Sequence, residues 1–436
     1  MLDQGIEQDE AEEQEKRPRD SHFNPWRMPR TEKSKAVVAE VLQQLQAYED
    51  RHQLRQRRRR KADQETFEAT VSAIISDLAY HHLMEREAGV YITRSNRYLG
   101  SKSRYRPSAY GKTLPDILDR LGSPELAVLD MELGTDCPFG SPLETSIRAG
   151  RRLLALVQEH GLQPEDLGLD RAQEVIQLKR SKLGGWDKGD FAEYEDTPET
   201  IRYREQMRAI NAWLESAVIE FDEYYWPGGR PVDTLDRRLR RVFTQGSFDS
   251  GGRLFGGFWQ SLGKEARRKG LFINREEVVE LDYGQMNPRI LYGLCGAQPP
   301  EGDAYDIPGI KHSRSGVKKV MNAMLFHDKR LVRMPKGVRK FFEERYTVEA
   351  VMRAIESAHP AIKDSFFTGI GHQAQCIESQ VMVEVLLSLR ELRVHALPVH
   401  DSVVVGKSSK DKVKEIMLSC FLRVVGVQGL VDEVVG

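Results

Sequence analysis

Apolar residues form two kinds of pattern along this chain: short β-prone runs and longer stripes with helical spacing. Residues 277–283 form a β-prone run that ends beside an acidic residue and then turns toward a helix. Residues 396–406 contain two short apolar runs on either side of His400 and Asp401, which predicts a tight hairpin. An amphipathic helix is predicted just before it, at 377–389. Strands and helices mixed in this way predict an α+β fold.

The N-terminal half shows more helical stripes than strands. Residues 1–35 are charged and short of large apolar side chains, which predicts a disordered arm. The sequence at 141–144 has a capping box and a proline at the first helical position, so a helix is predicted to begin there. The other elements predicted here are helices at 37–48, 67–83, 114–121 and 200–218, and strands at 90–93 and 127–129.

These patterns divide the chain into four segments. They are an acidic arm with a basic helix, partly disordered (1–64), a small α+β domain whose element order is compatible with a winged helix (65–180), a helical connecting or thumb-like region (181–250), and an α+β region with an insertion at about 300–375 (251–436).

Composition favours a globular protein over a membrane-spanning, secreted or disulfide-rich one. The chain has 436 residues and a formal net charge of −1, and 40% of its residues are hydrophobic, as in a globular protein with a sizeable core. No apolar run is long enough to span a bilayer, and the polar N-terminus does not resemble a secretory signal. None of its four cysteines forms a CxxC pair, which argues against a zinc site or a disulfide framework. A reducing cytoplasmic location is expected.

The distribution of charge is more informative than its sum. Residues 311–340 contain ten lysines or arginines and one acid, Asp328, which favours a surface that faces phosphate. A second basic run lies at 51–61, and a third segment, 94–112, alternates basic residues with tyrosines. Such a segment suits a surface that follows a nucleic-acid backbone and stacks bases. Solvated helix faces, or a polar loop with its tyrosines in the core, are the alternatives. The nucleic-acid-binding candidates in the third segment are Arg97, Arg104 and Arg106.

Two acidic residues at strand ends form a candidate metal site. Asp282 and Asp401 are 119 residues apart (401 − 282), so an insertion folded between them can return the chain to the same sheet. Magnesium prefers oxygen ligands, commonly one or two carboxylates together with substrate phosphates. Two such ions can clamp the attacking and leaving oxygens of an in-line displacement.

Four ordered motifs in residues 241–436 resemble the family A DNA polymerases and the related phage-type single-subunit RNA polymerases. The family's first palm motif has the form Asp-Tyr-Ser-Gln-Ile-Glu-Leu-Arg, and this chain has Asp-Tyr-Gly-Gln-Met-Asn-Pro-Arg at 282–289. The other three are a Gly-Arg-Leu segment at 252–254, an Arg, Lys and aromatic series on the finger helix (Arg314, Lys318, Phe326), and the His400-Asp401 pair. Each motif is weak alone, but the ordered set is much stronger.

This resemblance implies a right-hand palm, built as an antiparallel sheet with helices, and reduced fingers after a mainly helical N-terminal region. It implies a role for each matching residue. The implied ligands for two Mg²⁺ ions, with Mn²⁺ as a substitute, are Asp282, Asp401 and the backbone carbonyl of Tyr283. The implied roles of the other residues are primer-terminus contact (His400), triphosphate binding (Arg314, Lys318), contact with the nascent base pair (Phe326), contact near the sugar (Gln285, Asn287), and nucleic-acid binding (Arg253, with Arg289 as a further candidate).

Simpler structural roles are the alternatives for several of these residues. Arg314 and Lys318 would then be surface charges, Phe326 a core residue, and Arg289 a structural ion-pair partner. Trp259 and its neighbour Phe258, which follow the Gly-Arg-Leu segment, are predicted to pack rather than to stack on bases.

The expected activity is that of a DNA-dependent DNA polymerase acting on template, primer and nucleoside triphosphates. A membrane is not an expected partner. No companion motifs for a proofreading exonuclease accompany Asp130 and Glu132. Alternatives are an RNA polymerase or primase, and a DNA-binding replication factor with a degenerate palm. Asn287 departs from the glutamate that DNA-synthesising relatives usually have there, and Asn322 stands where an aromatic residue is frequent. A processivity partner is compatible with the short insertion.

Overall fold

The computed structural model describes residues 20–86, 88–100, 103–134, 145–181, 189–227, 232–310 and 314–434, and the side chain of Arg97 lies outside it. The chain divides into two compact units, Met1–Gln173 and Glu174–Gly436. The segment 181–250 therefore belongs to the same unit as 251–436. A boundary at 64/65 would fall inside a helix.

The first unit combines helices with short strands. Its helices are α1 (Glu32–Arg51), α2 (Lys61–Leu83), α3 (Asn96–Leu99), α4 (Leu114–Leu121) and α5 (Arg151–Glu159), and its strands are β1 (Ser21–His22), β2 (Arg27–Pro29), β3 (Val90–Ile92), β4 (Leu129–Glu132), β5 (Thr145–Ala149) and β6 (Leu167–Leu169). A sheet has the order β1-β3-β5-β4, in which β1 is parallel to β3 and the other pairs are antiparallel. A separate ribbon pairs β2 with β6. The winged-helix interpretation stays a prediction.

The predicted N-terminal arm is wrong for the described residues from 20 onward. Arg27 and Asp77 form a buried pair, with Arg27 Nε donating to Asp77 Oδ1 at 3.1 Å. Phe23 is 6% exposed, and β1 joins the sheet beside β3. These contacts order the segment because a buried carboxylate needs a paired cation. Residues 1–19, the strongly acidic part, lie outside the described ranges.

The basic run at 51–61 separates two helices instead of continuing one. Helix α1 ends at Arg51, and α2 begins at Lys61. Arg55, Arg59 and Arg120 converge on Glu49, whose side chain is 0% exposed. Three guanidinium groups around one buried carboxylate give part of this run a structural role in the unit.

Two further predictions for this unit need correction. The strand predicted at 127–129 corresponds to β4, which begins at Leu129 because Ala127 has a positive φ of 45° that a strand does not accommodate. A helix is predicted to begin at 141–144, but α5 begins at Arg151, and the residues just after 144 form β5. Pairing with β3 and β4 outweighs the local helix-start signal there. Residues 141–144 themselves lie outside the described ranges.

The second unit contains the predicted hairpin and the long strand before it. Its helices are α6 (Pro198–Glu215), α7 (Lys264–Gly270), α8 (Met286–Leu294), α9 (Arg314–Phe326), α10 (Val348–Ala358), α11 (Gly371–Glu391) and α12 (Lys410–Val425), and its strands are β7 (Ile176–Leu178), β8 (Ile219–Phe221), β9 (Leu239–Phe243), β10 (Gly251–Gly256), β11 (Leu271–Ile273), β12 (Glu276–Tyr283), β13 (Ala396–Val399), β14 (Ser402–Gly406) and β15 (Val431–Glu433).

The central sheet of this unit has the order β13-β14-β12-β11-β8, and all of its pairs are antiparallel. The last strand, β15, pairs with the end of β12, beyond β11. A smaller sheet has the order β10-β9-β7. Helices α6, α11 and α12 contribute buried side chains to one core together with these strands.

A second apolar cluster lies in the stretch between the two predicted acidic residues. It unites buried residues of α8, α9 and α10 with Tyr305, Ile307 and Phe366. The insertion between β12 and β13 therefore has packing of its own, which positions α9. Within the described ranges, no helix combines the length and apolar character needed to cross a lipid bilayer.

Candidate active site

The two predicted acidic residues lie close together where β12 ends and β14 begins, in the middle of the central sheet. Strands β12 and β14 pair so that Asp282 lies opposite Ser402, the residue that follows Asp401. The backbone nitrogen of Tyr283 donates to the carbonyl oxygen of Asp401 at 3.2 Å. A β-prone run that ends at an acid, and a hairpin with an acid in its turn, thus place two carboxylates on neighbouring segments.

Two residues form the turn of the hairpin, because Val399 pairs directly with Ser402. His400 has a positive φ of 58°, a left-handed conformation that a histidine adopts at a cost in strain. Ser402 Oγ lies 3.0 Å from the carbonyl oxygen of Val399 and 2.8 Å from Glu280 Oε1. The turn residues His400 and Asp401 are therefore held by the strand on each side.

The carbonyl of Pro398 anchors the first hairpin strand to the segment after β10. Trp259 Nε1 and Gln260 Nε2 each donate to this oxygen at 2.9 Å. Trp259 is 0% exposed, so its hydrogen bond lies in the core. Proline removes one donor from the strand, and its carbonyl is used here to fix the hairpin.

The surroundings of Asp282 disfavour its negative charge. Burial raises the pKa of this carboxyl to about 7, and the neighbouring Asp401 adds to the rise. The positive charges of Lys318 and Lys264 oppose the rise in the pKa, whereas Glu280 increases it. Two adjacent carboxylates in such a place form a site that a cation would stabilise.

Glu280 lies two positions before Asp282 on β12, and an arginine balances its negative charge. Arg267 of α7 approaches its carboxylate at 3.3 Å, and both side chains are nearly buried. On the other side of Asp282, Asp432 of β15 is its register partner and is exposed. The strand end that carries Asp282 therefore has Asp432 on one neighbouring strand and the turn residue Asp401 beside the other.

Arg253 of β10 forms a two-point ion pair with Glu378 of α11. Its Nε lies 2.5 Å from Glu378 Oε1, and its Nη2 lies 2.9 Å from Oε2. Burial opposes the charge of Arg253, but the hydrogen bonds to Glu378 and the charge of Asp401 outweigh it and raise its pKa. The Glu378 side chain is 2% exposed and that of Arg253 is 28% exposed, so part of the guanidinium still faces solvent.

Helix α9 carries two exposed basic residues near Tyr305, and the charge of one of them, Lys318, acts on Asp282. Arg314 and Lys318 are exposed and both lie over the ring of Tyr305, at 5.3 and 6.0 Å from its centroid. Arg314 pairs with Asp303. Lys318 lies one turn later, where its charge lowers the pKa of Asp282. Lys318 is therefore available to an anionic ligand beside Asp282, and Arg314 lies one turn earlier on the same face of the helix.

The residues predicted near the sugar and the base pair join α8 to the insertion. Gln285 has a positive φ of 55°, and its Oε1 accepts from the Ala304 nitrogen at 3.0 Å. Asn287 Nδ2 donates to Asn322 Oδ1 at 3.2 Å, so the two departures from the family pattern contact each other. Phe326, at the end of α9, is half-buried.

One predicted role conflicts with burial. Arg289 is 5% exposed, and its Nη1 donates to the carbonyl oxygen of Gln428 at 2.7 Å, so it stabilises the C-terminal segment and is not free to bind a duplex. Burial also lowers its pKa. The Tyr283 hydroxyl donates to the carbonyl oxygen of Met417 at 2.7 Å inside the core. The proposed metal contact of Tyr283 involves only its backbone carbonyl and stays a prediction.

The remaining nucleic-acid-binding candidates belong to the first unit. Arg104 and Arg106 are half-buried, and Arg106 Nη2 donates to the carbonyl oxygen of Leu99. Burial lowers the pKa of Arg106. The side chain of Arg97 lies outside the described part of the chain.

Among the described residues, no group of three or more His, Cys, Asp or Glu side chains is arranged to hold a metal ion by itself. A site for magnesium with nucleotide needs fewer protein ligands, since phosphate oxygens and water complete the shell. Asp282 and Asp401 fit that donor set, because both supply hard oxygen ligands and the pKa of Asp282 rises in the absence of a cation.

Neither a family model nor a curated protein matches this chain. Among solved structures, it is similar to the POL domain of Pol1 from M. smegmatis in complex with a DNA primer-template and dNTP, with a TM-score of 0.31 and 11% sequence identity. The match covers 93% of this chain and 66% of that chain, slightly less than two thirds of its length. At this TM-score the similarity carries no argument about function.

Several residues that shape the site escape sequence reasoning. Glu378 and Gln260 have no motif of their own, and their partners are 125 and 138 positions away. Packing of Trp259 is predictable from its size and type, but its hydrogen bond to Pro398 is not. Glu280 is the exception, because it lies two positions before Asp282 and therefore shares one face of the predicted strand with it.

Proposed function

We propose that this chain is a template-directed nucleotidyltransferase, most specifically a DNA-dependent DNA polymerase that uses two divalent metal ions. The observation that carries the proposal is the register of β12 and β14, which brings Asp282 beside Asp401. Lys318 of α9 acts on Asp282 and Arg314 lies one turn earlier on the same face, so the site would offer carboxylates for cations and cations for a triphosphate. This combination is what phosphoryl transfer requires of a protein.

Asp282, Asp401 and the backbone carbonyl of Tyr283 would hold two Mg²⁺ ions, or Mn²⁺ in their place. When bound, these ions neutralise phosphate charge and activate the attacking oxygen. The pairing of β12 with β14 holds the backbones that carry the two carboxylates together before substrate arrives, which favours orientation with little reorganisation.

Arg314 and Lys318 would bind the incoming triphosphate. The positive charge of Lys318 already stabilises the carboxylate form of Asp282, so a phosphate bound beside Lys318 would be stabilised by the same charge. Arg314 pairs with Asp303 in the absence of ligand. A phosphate would compete for this exposed guanidinium, which is a bidentate donor suited to phosphate.

Three other residues would orient the reacting ends. His400 lies in the turn before Asp401 and would contact the primer terminus. Phe326 would pack against the nascent base pair from the end of α9. Gln285 connects the start of α8 to the backbone of Ala304 and would hold the sugar side of the site in register with the insertion.

The choice of sugar has a second candidate, a single-subunit RNA polymerase or primase. The observation in its favour is the Asn287–Asn322 contact, because the family resemblance implies a bulkier pair where ribonucleotides are rejected. Two amides joined at 3.2 Å leave less steric bulk than a glutamate and an aromatic ring. We therefore expect weak discrimination between dNTPs and rNTPs.

The test is extension of a labelled primer on a DNA template with Mg²⁺ and either dNTPs or rNTPs. We expect template-dependent extension that EDTA and Asp401→Ala both abolish. The matched control is Asp411→Ala, which removes an exposed carboxylate on α12. DNA binding by the wild type without any extension would contradict the proposal and favour a replication factor with a degenerate palm. Extension by rNTPs alone would transfer the assignment to the RNA polymerase candidate, and omitting the primer tests initiation.

A further inference from the structure

An open pocket lined by aromatic rings lies in the first unit. Its volume is about 290 Å³, and its rings come from the N-terminal strand, β3, α3 and the segment before α4. They are Phe23, His22, Tyr91, Tyr98 and Tyr110. The proposed active site in the second unit uses none of them.

The local sequence explains why these rings line one pocket. Val90 and Ile92 point into the core of the unit, so Tyr91 between them points to the other face of β3. The ring centroids of Tyr98 and Tyr110 are 5.8 Å apart, with an edge-to-face angle of 70°. Tyr98 is 57% exposed, which leaves a large aromatic surface open to solvent.

Basic side chains lie beside this aromatic surface. Arg106 is half-buried, and its Nη2 donates to the carbonyl oxygen of Leu99, the residue after Tyr98. The exposed side chain of Lys112 lies against Gly100, the residue that ends the short helix carrying Tyr98. Aromatic faces for bases next to cations for phosphates are the two requirements of single-strand recognition.

We propose that this pocket binds an unpaired base of single-stranded DNA, with Tyr98 as the stacking surface and Arg106 and Lys112 beside the phosphates. The pocket is open at the surface and rich in π-faces, so it takes any base and favours strands whose bases are not already stacked in a duplex. The inference extends the proposed function to the unpaired part of a template. It does not depend on catalysis.

The experiment measures anisotropy of a short labelled oligothymidylate with the full chain, in EDTA and without nucleotide. We expect Tyr98→Ala to weaken binding about tenfold, because one base stacked on one ring contributes that order of affinity. Tyr98→Phe keeps the ring and should bind like the wild type. The matched control is Tyr224→Ala, which removes a tyrosine that is 81% exposed in the second unit.

A salt titration tests the second half of the proposal. Lys112→Gln should reduce the slope of log affinity against log salt by about 0.7, the value for one phosphate contact on a single strand. Unchanged oligonucleotide binding by Tyr98→Ala would overturn the inference. This is the result expected if the pocket instead binds a side chain of a protein partner. Equal weakening for a blunt duplex would also overturn it. Asp401→Ala should bind the oligonucleotide normally, so failure here and failure of the polymerase assay are separable.

Discussion

Asp282 lies opposite Ser402 on β14, and the negative charges of Asp401 and Glu280 both raise the pKa of its carboxyl. Like charges this close together destabilise a fold unless something neutralises them. A protein that needs only stability has no reason to retain such an arrangement. We infer that the arrangement is kept for ligand binding at a cost in stability.

Asp282→Asn should therefore stabilise the metal-free protein at pH 8. The folded-state pKa is about 7, against an ordinary value of 3.8, so the folded state binds more protons between these values, and stability falls as pH rises through them. Removal of the charge should restore about 1–2 kcal/mol above pH 7, after allowance for solvent screening. The gain should shrink toward pH 4.

Thermal unfolding in EDTA measures this effect, and each kcal/mol corresponds to roughly 2–4 °C in Tm for a domain of this size. Adding Mg²⁺ with a nucleotide should raise the Tm of the wild type and leave that of Asp282→Asn nearly unchanged. The control is Asp411→Asn on α12. A variant that is less stable than the wild type at pH 8 would mean that Asp282 has a compensating partner.

Trp259→Phe should impair the hairpin, because it removes the indole donor to the Pro398 carbonyl. We expect a loss of about 1 kcal/mol from the hydrogen bond, beyond the cavity cost. We also expect a lower kcat with little change in KM. Trp213→Phe is the matched control, since the buried Trp213 Nε1 has no hydrogen-bond partner among the described residues. Urea denaturation and primer extension measure both variants, and equal losses of kcat would refute the anchoring role.

The Arg253–Glu378 pair separates a structural from a nucleic-acid role. Arg253→Met leaves a carboxylate with 2% exposure and no cation, which should cost about 3–5 kcal/mol. Adding Glu378→Gln should recover most of that loss. Denaturation measures stability, and anisotropy with a primed duplex measures binding. If Arg253→Met is as stable as the wild type but binds the duplex poorly, the ion pair contributes little, and the guanidinium serves DNA.

His400 tests backbone strain at the turn. Glycine adopts a φ of 58° freely, whereas alanine does not, so His400→Gly should be more stable than His400→Ala by about 1 kcal/mol. Both variants lack the imidazole and should lose primer extension alike. Comparing their unfolding free energies with their kcat values separates the backbone from the side chain. Wild-type activity in both would remove His400 from the site.

The elements around the site were predictable because their signals are local. The β-prone run at 277–283 predicts β12, two apolar runs around a pair of polar residues predict the hairpin, and α4 occupies the predicted range 114–121. The order of the motifs also led to Asp282 and Asp401, which the structure brings together.

Contacts between distant parts of the chain were not predictable. The predicted arm is ordered from residue 20 onward because Arg27 meets Asp77, fifty positions away. A helix-start signal at 141–144 did not prevent the following residues from pairing as β5, since sheet pairing is decided by distant partners. Arg289 matched the family motif, but its burial against the C-terminal segment depends on residues 139 positions further along.

Binding of Mn²⁺ measured by electron paramagnetic resonance tests the shared carboxylate site most directly. The wild type, Asp282→Asn, Asp401→Asn and the control Asp411→Asn would be titrated with Mn²⁺ in the presence of a non-hydrolysable nucleoside triphosphate. We expect the wild type and the control to bind Mn²⁺ beyond the amount held by free nucleotide, and both site variants to lose this fraction. Equal Mn²⁺ binding in all four proteins would contradict the account.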